Sequence, residues 1–146
     1  MNFYFSDDLS AFLNPTYNKF TYDHNIMGMD TDSNQVLDSP EFLLKSGIIY
    51  KVVDFEIIPT ASYMGSRYGD ALNNEKIDSV WLANLLVRYE KKNFYKSSDL
   101  LLTLESNNIF NKEYISVINA SDDSLKSSSY YQGAPRNIMF SMGMNF

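Results

Sequence analysis

The chain has no cysteine, so disulfides, thiolate metal sites and thiol nucleophiles are excluded. Long apolar runs are also missing. None approaches the roughly 18 residues of a spanning helix, which rules out a helical membrane protein. Basic residues are in deficit, 12 Lys and Arg against 18 Asp and Glu. The resulting net charge of −6, with no basic patch, argues against a nucleic-acid partner. His24 is the single histidine, and no Gly-x-Ser-x-Gly elbow accompanies it. No catalytic residue and no cofactor is therefore expected, and the chain does not read as an enzyme. The N-terminus, Met1-Asn2-Phe3-Tyr4-Phe5-Ser6-Asp7-Asp8, lacks the basic start, apolar middle and small-residue cleavage site of an export signal.

What is present is alternation and aromatic rings. The 146 residues have the size of one domain and include 11 Tyr and 10 Phe, as interfacial aromatic girdles would require. From Ala134 to Phe146 the chain alternates, with Ile138, Phe140, Met142, Met144 and Phe146 on one side and Asn137, Met139, Ser141, Gly143 and Asn145 on the other. That is the period of a strand with an apolar and a mostly polar face. Similar patterns predict strands over Asn2 to Phe5, Leu9 to about Tyr22, Phe42 to Val52, Phe55 to Met64 and Ser79 to Glu90. A further strand carries Leu100, Leu102 and Leu104 after a turn near Lys91 to Lys96. Pro15, which lacks a ladder donor, marks a bulge or weak point.

Register follows from the two faces. If Val52 meets Phe55, then Tyr50 faces Ile57, Ser46 faces Ala61 and Leu44 faces Tyr63, while Lys51 meets Glu56 on the polar side. The same logic places Glu90 against Ser97 and Arg88 against Asp99, so that Lys51/Glu56 and Arg88/Asp99 are the expected ion pairs. Between the strands, polar stretches at His24 to Glu41, Gly65 to Asp78 and Asn107 to Gly133 alternate with short turns, the pattern of a transmembrane barrel. The rings fall into two tiers. Tyr50, Phe55, Tyr89, Phe94, Tyr95 and Phe146 lie at the short-turn end, and Phe42, Tyr63 and Trp81 lie at the long-loop end. The expected fold is all-β, an antiparallel meander of about seven strands forming a partial transmembrane β-barrel with long extracellular loops.

Asn108-Ile109-Phe110-Asn111-Lys112-Glu113-Tyr114, Tyr131 and Gly133-Ala134-Pro135-Arg136, together with the amphipathic ending, resemble the C-terminal signature of TonB-dependent receptors. The resemblance implies that residues 1–146 are a C-terminal barrel segment in the bacterial outer membrane, without the family's plug domain. In that family, alternate apolar residues closed by a terminal aromatic are an assembly signal. Here they are Phe140, Met142, Met144 and Phe146, to be read by the barrel-assembly machinery. The implied partners are outer-membrane lipid, the missing N-terminal barrel and plug, and a ferric siderophore or similar iron chelate. Such barrels have about 22 strands around a plugged lumen. The expectation is therefore a transport-protein fragment, from a disrupted gene or an excised piece, not functional alone. Two other readings stay open: a complete small outer-membrane barrel serving as adhesin or pore, and a soluble β-barrel or sandwich binding a small molecule.

Within the resemblance, Arg67, Tyr68 and Asp70 at a loop base and Arg136 at the mouth of the last strand are the ligand-contact candidates, with structural arginines as the alternative. A second motif stands apart. Asp30, Asp32, Asn34, Asp38 and Glu41 fall at positions 1, 3, 5, 9 and 12 of an EF-hand-type calcium loop. However, Gln35 stands where that loop wants Gly, Pro40 is at position 11, and no helix flanks it, so a solvated acidic loop is the preferred reading.

Overall fold

The structure, a computed structural model, describes residues 1–95, 97–121 and 124–145. Phe146 and Lys96, to which expectations were attached above, lie outside the described residues, as do Asp122 and Asp123. The strands in chain order begin with β1 (Asn2–Tyr4), β2 (Leu9–Tyr17), β3 (Phe42–Val52), β4 (Phe55–Met64), β5 (Arg67–Tyr68) and β6 (Lys76–Ile77). They continue with β7 (Val80–Tyr95), β8 (Ser98–Asn107), β9 (Ile115–Ser121), β10 (Ser124–Gln132) and β11 (Asn137–Asn145). Seven of them form one antiparallel sheet in the order β1-β2-β3-β4-β7-β8-β11, which is the expected meander. The sheet is open, and β5 with β6 and β9 with β10 are separate two-stranded ribbons within the loops.

Cross-strand pairing sorts the side chains. Trp81, Tyr63, Leu44 and Pro15 share one row, as do Tyr89, Phe55, Val52 and Leu102, and Val87, Leu104 and Phe140. This apolar face is not folded in on itself. Trp81 is 56% exposed and Phe140 and Met142 are each 67% exposed. The few buried apolar residues among those described are Met29, Ala71, Val80, Leu100 and Ile118, and three of these belong to loops rather than to the main sheet. A sheet of this size with no dry core beneath it has its oily side turned outward. Rings of both expected tiers pack on one another: Tyr63 on Phe42 and Trp81 (ring centroids 6.0 and 4.8 Å), and Phe55 on Tyr89 (4.8 Å).

The β3–β4 register is the predicted one, from Val52↔Phe55 and Lys51↔Glu56 to Leu44↔Tyr63. The β7–β8 register is not. Arg88 lies opposite Thr103 and Glu90 opposite Leu101, four positions away from the predicted partners. The cause is that β7 runs past Glu90 to Tyr95, with a bulge after Lys91 and left-handed residues at Asn93 (φ 51°) and Ser97 (φ 68°). An even slip leaves every side chain on its original face, so two-face sorting is blind to it. The ion pairs are dealt differently as a result. Arg88 binds Glu56 at 2.6 Å and Lys91 binds Asp54 at 2.8 Å, while Asp99 accepts from the Asn93 amide at 2.9 Å.

Two smaller corrections concern β2, which ends at Tyr17 and carries no bulge at Pro15: pairing runs unbroken through Pro15↔Leu44. Because β1 reaches only to Phe12, Pro15 sits where β2 has an open side, the position that tolerates a missing donor. The three long connections, 18–41, 65–79 and 108–136, all leave from one end of the sheet. The short turns leave from the other.

Candidate functional site

The long loops bond to one another instead of standing apart. Between 18–41 and 65–79 several of the ties are amide-to-carbonyl. The Gln35 amide donates to Asn73 Oδ1 (2.8 Å), and Asn73 Nδ2 donates back to the Gln35 carbonyl (2.9 Å). Asn34 Nδ2 reaches the Ala71 carbonyl at 3.1 Å, and the Asp38 amide reaches the Tyr68 carbonyl at 2.9 Å. Asn73 takes this place with φ 59°, a conformation its short amide side chain tolerates.

Arg67 is the centre of the cluster. Its side chain is 1% exposed. Nε donates to Asp38 Oδ1 at 2.6 Å, one terminal nitrogen donates to the Ile115 carbonyl at 2.7 Å, and the other donates to the Met64 sulfur at 2.9 Å. Asp38 uses its second oxygen to accept from the Ile118 amide at 3.2 Å. A guanidinium so far removed from water is stable only with its partner in place, and deleting one member of such a pair costs about 3–5 kcal/mol. Arg67 thus directs its bonded nitrogens into the protein.

Its neighbours have local tasks too. Asp70 is buried, its carboxylate accepting from the Glu75 amide at 3.0 Å and its carbonyl from Asn73, which closes the β5–β6 turn. Tyr68 pairs with Lys76 across that ribbon. Tyr130 of β10 donates its hydroxyl to Glu75, and this bond pushes the phenol up to about 12. The ring lies over Gly69, where a Cβ would collide with it. Arg136 is different. Its amide donates to Asn111 Oδ1 at 2.9 Å, but its side chain is exposed. Of the four ligand-contact candidates, Arg67, Tyr68 and Asp70 come together and Arg136 stands at the neighbouring stem.

That stem explains the Asn108–Tyr114 and Gly133–Arg136 motifs. Asn108, buried and at φ 50°, donates through Nδ2 to the carbonyls of Lys112 (2.9 Å) and Ala134 (3.1 Å) and accepts from the Lys112 amide (2.8 Å). Gly133 donates to the Tyr114 carbonyl at 2.8 Å with the Tyr114 ring directly over its Cα, where no side chain fits. One asparagine and one glycine thereby cinch the ends of the loop 108–136.

The acidic positions do not converge. Asp30 and Asp32 are exposed, Asn34 donates to Ala71, and Asp38 is bound by Arg67. Among the described residues no three His, Cys, Asp or Glu side chains are gathered as a metal would need. His24 is exposed beside Asp23. Of the residues expected to carry an assembly signal, Phe140, Met142 and Met144 line the apolar side of β11, one of the two edge strands of the sheet. Sequence reasoning missed Asn108, Asp38 as the partner of Arg67, and the Tyr130–Glu75 bond. Only the first had a local signal, an asparagine at the entry of a recognised motif.

No family model matches the sequence, and no curated protein matches it. Solved structures do. The ferric citrate transporter FecA in its unliganded form superimposes with a TM-score of 0.76 over 94% of this chain, at 23% identity. BauA, the ferric preacinetobactin receptor of Acinetobacter baumannii, gives 0.75 over 97% at 18% identity, and FyuA, the ferric yersiniabactin uptake receptor of Yersinia pestis, gives 0.70 over 98% at 12%. The chain spans only about a fifth of each of those proteins: 21%, 20% and 21%. The shared feature is the fold, an antiparallel barrel sheet left open here.

Proposed function

We propose that residues 1–146 are a C-terminal segment of a TonB-dependent outer-membrane receptor barrel, taking part in uptake of a ferric siderophore or similar iron chelate. The observation that carries this reading is the apolar face of the sheet, ringed by two aromatic tiers and exposed over strands long enough to cross a bilayer obliquely. Such a face belongs against lipid. The role is transport, not catalysis, and it is exercised together with the remaining barrel strands and the plug, because each unpaired edge group in lipid costs several kcal/mol. Phe140, Met142 and Met144 on β11, with Phe146 beyond them, are the residues for the barrel-assembly machinery to recognise. Among the candidate ligand contacts, Arg136 is the exposed cation available to an anionic chelate, with Arg67, Tyr68 and Asp70 shaping the loops around it.

The test is membrane retention. Produced in a Gram-negative host behind an export signal, the chain is expected to stay with the outer membrane through a urea wash and to support chelate uptake only when the N-terminal part of the receptor is supplied. Quantitative release into the wash sinks the reading. Heat-modifiable gel migration of the chain by itself would favour the complete small barrel instead.

A further inference from the structure

We propose that the Asp38–Arg67 pair is a latch that joins the three long loops into a single lid, so that they loosen together or not at all. Among the described residues the pair is the place where all three loops meet through charged groups: Asp38 comes from 18–41, Arg67 from 65–79, and their backbone partners Ile115 and Ile118 from 108–136. Its geometry is that of a missing strand. The guanidinium donates to a β9 carbonyl and the carboxylate accepts from a β9 amide, which satisfies the edge of β9 turned away from β10.

The other ties follow the pair. Loops 18–41 and 65–79 share neutral bonds around Asn73, and they stay one body only while the charged pair spanning the same two loops holds. The β9–β10 hairpin is attached to that body by the charged pair, with the Tyr130–Glu75 bond as a second point of attachment. Packing reinforces the arrangement, since Ile118, Met29, Thr31 and Ala71 are among the buried residues of the loops. Asp38 itself holds a left-handed backbone (φ 51°), so the carboxylate is presented by a conformation with few alternatives. The lid is a property of loop geometry and does not depend on the transport role proposed above.

Hydrogen exchange on the full chain in detergent micelles tests it. Asp38→Asn keeps the shape and the left-handed backbone but removes the charge, and Arg67→Gln removes the donor fork. Each variant is expected to speed exchange about ten- to a hundredfold, as for a lost charged hydrogen bond, at the amides of Ile118, Gln35 and Asp38 together. Leu86 to Arg88 in β7, the control for the fold, should be unchanged. The double variant should be no worse than the worse single one, because the pair acts as a unit. Should Arg67→Gln not fold, Asp38→Asn decides alone. Faster exchange confined to β9, no change at any of these amides, or a wild-type chain unprotected at Ile118 would each overturn the latch.

Discussion

Val53 is held where a β-branched residue is least comfortable, at φ 55° in the two-residue connection between β3 and β4 and 95% exposed. Nothing packs against it to justify the strain. Val53→Asn, which accepts the left-handed region, should therefore stabilise the hairpin by roughly 1 kcal/mol, read as a higher urea midpoint in micelles. Tyr130 makes a second prediction at this scale. Its phenol rises from 10.0 to about 12 first because it donates to Glu75, and secondly because it is partly desolvated. A raised value means that the neutral form is favoured in the folded loops. The tie is thus fully present below the unfolded value near 10.0 and is lost as pH climbs through about 12. Ultraviolet titration should show a late-ionising component in the wild type that Tyr130→Phe removes. Superimposable high-pH titrations of the wild type and Tyr130→Phe, once scaled for the missing phenol, would contradict the bond.

Among the elements, the hairpins show what alternation can and cannot decide. The tight Val53-Asp54 connection pins β3 against β4, so a period-two pattern was enough to read the register residue by residue. Between β7 and β8 the same pattern admits slips of two or four, and only the bulge near Asn93 selects among them, announced by no more than an asparagine that tolerates the left-handed region. Oxidation of paired cysteines separates the registers. Arg88→Cys with Thr103→Cys should crosslink, whereas Arg88→Cys with Asp99→Cys should not. The β9–β10 ribbon was not foreseen. Its pairing, such as Val117↔Tyr131 and Ile118↔Tyr130, lies within a serine-rich polar stretch that reads as loop. Its stem was legible as a motif but not as a mechanism, because the value of Asn108 and Gly133 comes from carbonyls and a ring brought close by the fold. Gly133→Ala should displace Tyr114 and open the stem, seen as early proteolysis within 108–136 while the main sheet stays intact.

For the molecule as a whole, the sidedness of the sheet is measurable with a residue it already has. Trp81 is the single tryptophan, 56% exposed in the upper aromatic tier beside Tyr63. In bilayers its emission should be blue-shifted and quenched by lipids brominated near the headgroup. Indifference to those lipids, together with quenching by aqueous iodide, would mean that this face meets water. The candidate site was the least legible part at this scale, because the Asp38–Arg67 contact joins residues far apart in sequence and depends on three loops converging. Neither residue carries a motif that points to the other.

Seven is an odd number, and that constrains what can complete the sheet. In an antiparallel series the first and last of seven members, β1 and β11, point the same way. Copies of this chain set side by side in one orientation would meet head-to-head in parallel and could not close a ring by antiparallel pairing. A complement that satisfies both rims must bring its own odd tally, restoring the even parity of bacterial outer-membrane barrels.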